Sequence, residues 1–155
     1  MTRAAIPSPA SWPAAASASC TVMPAATIVT ASPGDALTIV AAGITVHEAL
    51  AAAGQLASEG IAARVIDAYS VKPIDTTTLR RAARDTGRLI TVEDHWPEGG
   101  LGEAVCSAFT AEPCPVFKKL AVTIMPGSAK PAEQLAAAGI DAAAIAAAAR
   151  ELVGG

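Results

Sequence analysis

Aromatic side chains are nearly missing from this sequence, where two Trp, two Phe and one Tyr make up 3% of 155 residues. A core without large rings closes by bringing small side chains near one another, which favours helices packed on a sheet over a sandwich with aromatic anchors. An excess of one charge is also lacking. Eleven Lys and Arg stand against fourteen Asp and Glu, for a net charge of −3. No basic stripe exists to meet a phosphate backbone, so nucleic acid is not expected as a partner. No apolar run approaches the ~20 residues needed to span a bilayer, so no membrane partner is expected either. The three cysteines, Cys20, Cys106 and Cys114, are too few and too irregularly spaced for a disulfide framework or a zinc knuckle. They read as plain thiols in a reducing, cytoplasmic compartment.

The first 34 residues lack acids altogether and carry a single base, Arg3. Ala, Ser and Pro dominate them, with prolines at Pro7, Pro9, Pro13, Pro24 and Pro33 that break helices and fit poorly in a central strand. Ser and Pro interrupt every apolar stretch that could serve as a secretory leader, and one arginine is too few for a transit peptide. Residues 1–34 are therefore expected to be a disordered or non-native segment, with a short extended piece at Ala26–Thr30 and a turn at Ser32-Pro33-Gly34-Asp35. The domain boundary is placed at Asp35, so that residues 35–155 form one domain.

From Asp35 onward, strands and helices alternate regularly. Ala36–Ala42 is an apolar run of the kind a buried parallel strand shows. Thr45 and Glu48 have capping-box spacing and open a helix to Ser58, with Val46, Leu50, Ala53 and Leu56 on its apolar side and Glu59-Gly60 as the stop. Ala63–Asp67 is the second strand, and Asp75 stands at the N-cap of a helix that Gly87 ends. Arg88–Glu93 is the third strand. A glycine-rich turn, Asp94–Gly102, feeds a helix over Leu101–Thr110, and Val116–Thr123 is the fourth strand. Beyond Lys130-Pro131 comes a short helix, and Asp141 caps the last one, which runs to about Leu152. This pattern predicts a three-layer α/β/α domain with a mostly parallel sheet.

Few side chains offer chemistry. The first strand–turn–helix has only Gly43 where a dinucleotide fingerprint needs three glycines, so Asp67 reads as an ordinary strand-end carboxylate. His47 and His95 lie on different βα units, no serine sits in a nucleophile elbow, and no metal constellation forms. No catalytic, cofactor-binding or metal-binding residue is therefore assigned. The one candidate is the turn holding His95, Gly99, Gly100 and Gly102, beyond the carboxyl end of a strand where ligands of parallel sheets gather. Its glycines could turn N–H groups toward an anion or allow close approach of a neighbouring subunit, and the flanking Glu98 and Glu103 favour the second use.

Four segments carry a resemblance. They are Thr38-Ile-Val-Ala-Ala-Gly-Ile-Thr-Val-His-Glu-Ala-Leu50, Arg64-Val-Ile-Asp-Ala-Tyr-Ser-Val-Lys-Pro-Ile-Asp75, Leu89-Ile-Thr-Val-Glu-Asp-His-Trp-Pro-Glu-Gly-Gly-Leu-Gly-Glu-Ala-Val105, and Met125-Pro-Gly-Ser-Ala-Lys-Pro-Ala-Glu-Gln-Leu135 with Gly139-Ile-Asp141. Across them the stretch Leu37–Leu152 resembles the C-terminal domain of transketolases. Deoxyxylulose-phosphate synthases and the β subunits of 2-oxoacid dehydrogenases carry similar domains, but the third and fourth segments point to transketolase. The resemblance implies a parent enzyme that moves a two-carbon ketol unit between sugar phosphates. Such an enzyme works as a homodimer and holds thiamine diphosphate and a divalent cation on its other domains. For this chain it implies a fragment or separate subunit that supports assembly, binds no cofactor alone and takes the missing domains as partner. A stand-alone regulatory module is the alternative, and a small-ligand binder using Gly99–Gly102 is a weaker third reading.

Overall fold

The computed structural model describes residues 25–111 and 113–155. The expectations for residues 1–24 lie outside the described residues. Five strands, β1 (Thr27–Thr30), β2 (Leu37–Ala41), β3 (Ala63–Asp67), β4 (Arg88–Val92) and β5 (Val116–Leu120), form one sheet in the order β1-β3-β2-β4-β5. β2 pairs in parallel with β3 and β4, β4 pairs in parallel with β5, and β1 lies antiparallel on the edge of β3. The helices are α1 (Thr45–Ser58), α2 (Thr76–Thr86), α3 (Leu101–Ser107), α4 (Pro131–Ala138) and α5 (Ala142–Gly154).

Both faces of the sheet are covered, as the near-continuous apolar strands require. Leu37, Ile39, Val65, Ile90 and Val92 pack on one face with Ala49, Ala52 and Leu56 of α1 and Ile145, Ala146 and Ala149 of α5. Val40, Ile66 and Leu89 point the other way, toward Leu79 and Ala82 of α2 and Leu101 and Val105 of α3. The expected three-layer, mostly parallel α/β/α fold is what forms. On α1 the fully buried positions are Ala49, Ala52 and Leu56, while Val46, Leu50 and Ala53 pack partly buried beside them. Alanines on α1 and α5 leave room for the two helices to meet over the sheet, in place of the missing aromatic rings.

Three expectations are corrected. The ordered unit starts before Asp35, because the extended piece at Ala26–Thr30 becomes β1. Ala26 is buried, and Thr30 Oγ1 accepts from the Val65 N–H at 3.2 Å, so β3 gains a neighbour there. β5 and α3 are shorter than expected, ending at Leu120 and Ser107. The capping box of α1 does not form. Thr45 Oγ1 accepts from Ala42 N and lies 2.8 Å from Ala42 O and 3.0 Å from Val92 O, which ties the end of β2 to the end of β4. Glu48 instead reaches across to α5, where its Oε2 accepts from the Ala142 N–H at 2.8 Å. The free N–H groups at that helix end draw a carboxylate more strongly than the first turn of α1, whose N–H groups are served within the turn itself.

A buried cation binds the front of the domain together. The Arg64 guanidinium donates to Asp35 at 3.2 Å and to Asp85 at 2.8 Å, joining the β1–β2 turn to α2 through β3. Asp75 caps α2 as expected, accepting from Thr78 N at 2.9 Å, and Gly87 ends that helix in the left-handed conformation.

Arg64→Met should destabilise the domain by about 2–4 kcal/mol in urea titration, because the Asp35 carboxylate is left buried without its cation. The Arg64 guanidinium also holds the Asp85 carboxyl below its ordinary range, as Arg150 does for Glu59. A depressed folded-state value gives stability that is complete above about pH 4, the unfolded value, and is lost as pH falls through the folded value. The double variant Asp85→Asn, Glu59→Gln should therefore lose stability less steeply below about pH 4 than the native chain, as read by thermal melts across pH.

Candidate functional site

The carboxyl ends of the four parallel strands open on one edge of the sheet, and the turn after β4 is the most elaborate structure there. The backbone crosses over to β5 and returns. Glu93 N donates to Leu120 O at 3.0 Å, Val122 N to His95 O at 3.0 Å, and Lys119 Nζ to Pro97 O at 2.7 Å. His95 Nδ1 lies 2.7 Å from the Trp96 carbonyl, which can only accept, so Nδ1 carries the proton. Asp94, His95 and Trp96 are exposed, whereas Gly100, Leu101 and Gly102 are buried.

Glu93 organises this turn, and sequence reading treated it only as the end of a strand. It is 2% exposed, and its Oε1 accepts from the Gly102 N–H at 3.1 Å. Its Oε2 is buried and has no hydrogen-bond partner among the described residues. The carboxylate lies against the backbone of the turn so closely that a Cβ on Gly100 would stand 1.9 Å from Oε2 and 2.9 Å from His95 Nδ1. A Cβ on Gly102 would stand 2.2 Å from Cδ of Lys119. Gly99 has φ +73°, a conformation that glycine adopts without strain. The sequence signal that could have found Glu93 was an acid at a strand end followed within ten residues by three glycines.

The turn brings His95, Gly99, Gly100 and Gly102 together as expected, and it decides between their two uses. Gly102 N–H is taken by Glu93, and Gly99 N–H is taken by Glu103 Oε2 at 2.9 Å. With the chain's own carboxylates on these donors, the turn offers little to an anion. α3, at seven residues, is also short for a helix whose dipole would attract one. His47 lies exposed on α1, apart from His95. The Cys106 thiol is pushed up, first by burial and then by the nearby Cys114, which disfavours the reactive thiolate.

A parallel sheet whose chemistry-poor loops are held by internal carboxylates defines an assembly domain of the α/β class. Comparison with known proteins identifies which one. The family described as "Transketolase, C-terminal domain" matches residues 26–145. "Transketolase-like protein 2" of Mus musculus is 49% identical over 111 residues, covering 71% of this chain and 18% of that protein. "Transketolase" of Homo sapiens is 50% identical over 111 residues with the same coverage. Among solved structures, "Split gene transketolase, inactive beta4 tetramer" superposes with a TM-score of 0.78 at 38% identity, over 85% of this chain and 43% of that one. "Transketolase from Leishmania mexicana", at a TM-score of 0.63 and 22% identity over 84% of this chain and 18% of that one, shares the fold. The chain belongs to the transketolase family as its C-terminal domain. It spans less than a fifth of the length of the curated relatives it matches.

The described residues do not fit thiamine diphosphate with a divalent cation. No group of three His, Cys, Asp or Glu among them could hold the metal, and the glycine turn that could otherwise cradle a diphosphate is filled by Glu93 and Glu103. No helix among the described residues is long and apolar enough to cross a membrane.

Gly100→Ala should cost about 1–3 kcal/mol in chemical denaturation, since its Cβ collides with a buried carboxylate that has nowhere to move. Gly127→Ala, whose Cβ meets nothing within 4 Å, should stay within about 0.5 kcal/mol of the native chain.

Proposed function

We propose that this chain serves as the C-terminal domain of a transketolase whose cofactor-bearing domains are supplied by another chain. Together they would carry two-carbon ketol transfer between sugar phosphates in the cytoplasm. The observation that carries this reading is a whole, closed C-terminal domain matched over residues 26–145, in a chain that covers only 18% of its curated relatives. A solved relative described as a split-gene transketolase offers a parallel for such a division. In this assembly thiamine diphosphate and its divalent cation sit on the partner, and the partner's cofactor supplies the bond-making chemistry. This chain contributes a stable surface, and the turn at His95, Gly99, Gly100 and Gly102 is read as an interface turn. The parent is a homodimer, so the complete particle holds two copies of each part.

Purified alone, the chain should show no ketol transfer from a ketose phosphate to an aldose phosphate in the presence of thiamine diphosphate and magnesium. The Homo sapiens transketolase in which residues 26–145 of this chain replace the matched C-terminal stretch should be dimeric and active. A folded chimera that is monomeric and inactive would refute the proposal.

A further inference from the structure

Five of the eight large apolar side chains that are exposed among the described residues lie on loops that follow the carboxyl ends of the parallel strands. Ile44 follows β2, Tyr69 follows β3, Trp96 follows β4, and Ile124 and Met125 follow β5, with exposures from 48% for Tyr69 to 88% for Met125. β2, β3, β4 and β5 run in one direction, so these loops share one edge of the sheet. Between them opens a groove of about 390 Å³, lined by Ile44, Val122, Leu135 and Ile140, with Asp94 as its acid. Scattered apolar side chains on a surface need no explanation, but a cluster at one edge around an apolar groove marks a contact site. Its composition is that of an interface centre, with Trp, Tyr and Met concentrated and charge sparse.

The path of the chain indicates what covers this edge. β1 is antiparallel to β3 and pairs Thr27 with Asp67, the last residue of β3, so the chain enters the domain at the carboxyl edge. Ser70 N donates to Ala25 O at 3.2 Å, which fixes the entry point beside the loop that carries Tyr69. The family match begins at residue 26 and is to a C-terminal domain. More than four fifths of each curated relative lies outside the matched stretch, and in those proteins the preceding polypeptide arrives at this same edge. A domain delivered there by a short connection is positioned over the apolar loops.

We infer that the carboxyl edge bearing Ile44, Tyr69, Trp96, Ile124 and Met125 is the docking surface for the cofactor-bearing part of a transketolase. The inference rests on the divided assembly proposed for this chain and adds to it the face that is used. The occupant is a protein surface with an apolar projection that enters the groove beside Asp94. The edge strand β1 and the amino-terminal edge, where Val116 is exposed, remain outside the contact.

Hydroxyl-radical footprinting tests this directly, since Met, Trp and Tyr are prominent targets and each occurs in the patch. Met125, Trp96 and Tyr69 should oxidise at least about fivefold more slowly in the chimeric Homo sapiens enzyme than in this chain alone, because an interface centre excludes water. Met125→Asp and Ile44→Asp should leave the melting temperature of this chain unchanged and yet abolish dimeric, active chimera, while Val116→Asp should do neither. An active chimera whose Met125, Trp96 and Tyr69 oxidise freely overturns the docking surface and leaves the proposed function standing. A folded but inactive, monomeric chimera overturns both. Protection in this chain alone that grows with its concentration assigns the edge to a second copy, and so overturns the inference. If the chimera does not fold, the aligned side chains of the intact Homo sapiens holoenzyme are footprinted instead, and free oxidation there also overturns it.

Discussion

The Glu93 carboxylate accepts the Gly102 N–H while almost fully shielded from water, and much of the shape beyond β4 depends on it. A buried carboxylate is costly unless backbone donors meet it, so the chain must bring an N–H inward. It does so by folding the turn back onto the strand end, at a distance that leaves no room for a Cβ on Gly100. Lys119 then lays its alkyl stem over Gly102 and caps the Pro97 carbonyl. The exposed side chains of the turn are thereby fixed in place by groups that lie beneath them. A turn built on an internal acid presents a rigid outer surface, and the same acid keeps anions from its amides.

How much of this was legible in the sequence depends on how far each interaction reaches along the chain. Asp75, Gly87 and Asp141 act on residues within one turn, and their roles as caps were readable and form as expected. Thr45 and Glu48 have the spacing of a local pair, but each is claimed by a more distant partner, Val92 O and Ala142 N. Nothing in the spacing reveals that competition, because it exists only once β4 lies beside β2 and α5 crosses α1. Glu93 belongs to the same kind: the glycines that serve it were visible and the acid was not singled out. Ala26–Thr30 was legible as extended, while its place in the sheet depended on the open edge of β3, whose Val65 is 35 residues beyond Thr30.

The scarcity of aromatic residues has a structural counterpart on the α1–α5 face. Ala49 and Ala52 meet Ala146 and Ala149 with Ile145 and Leu56 as the larger fillers. Packing of this kind gains its dispersion energy from the number of close contacts, and no single ring provides an anchor. The few large apolar side chains that remain are thus spared from the interior, and most of those that are exposed gather where the sheet opens.

The antiparallel edge strand has an evolutionary reading. The parallel strands β2 to β5 are all contained within one continuous stretch, and β1 adds to them from outside by a short ladder on β3. A break in the polypeptide anywhere ahead of Ala25 severs none of the described ladders. Fusion to a preceding domain and separation from it are therefore nearly equivalent for this fold, and a gene can be divided at that point without a new core having to evolve.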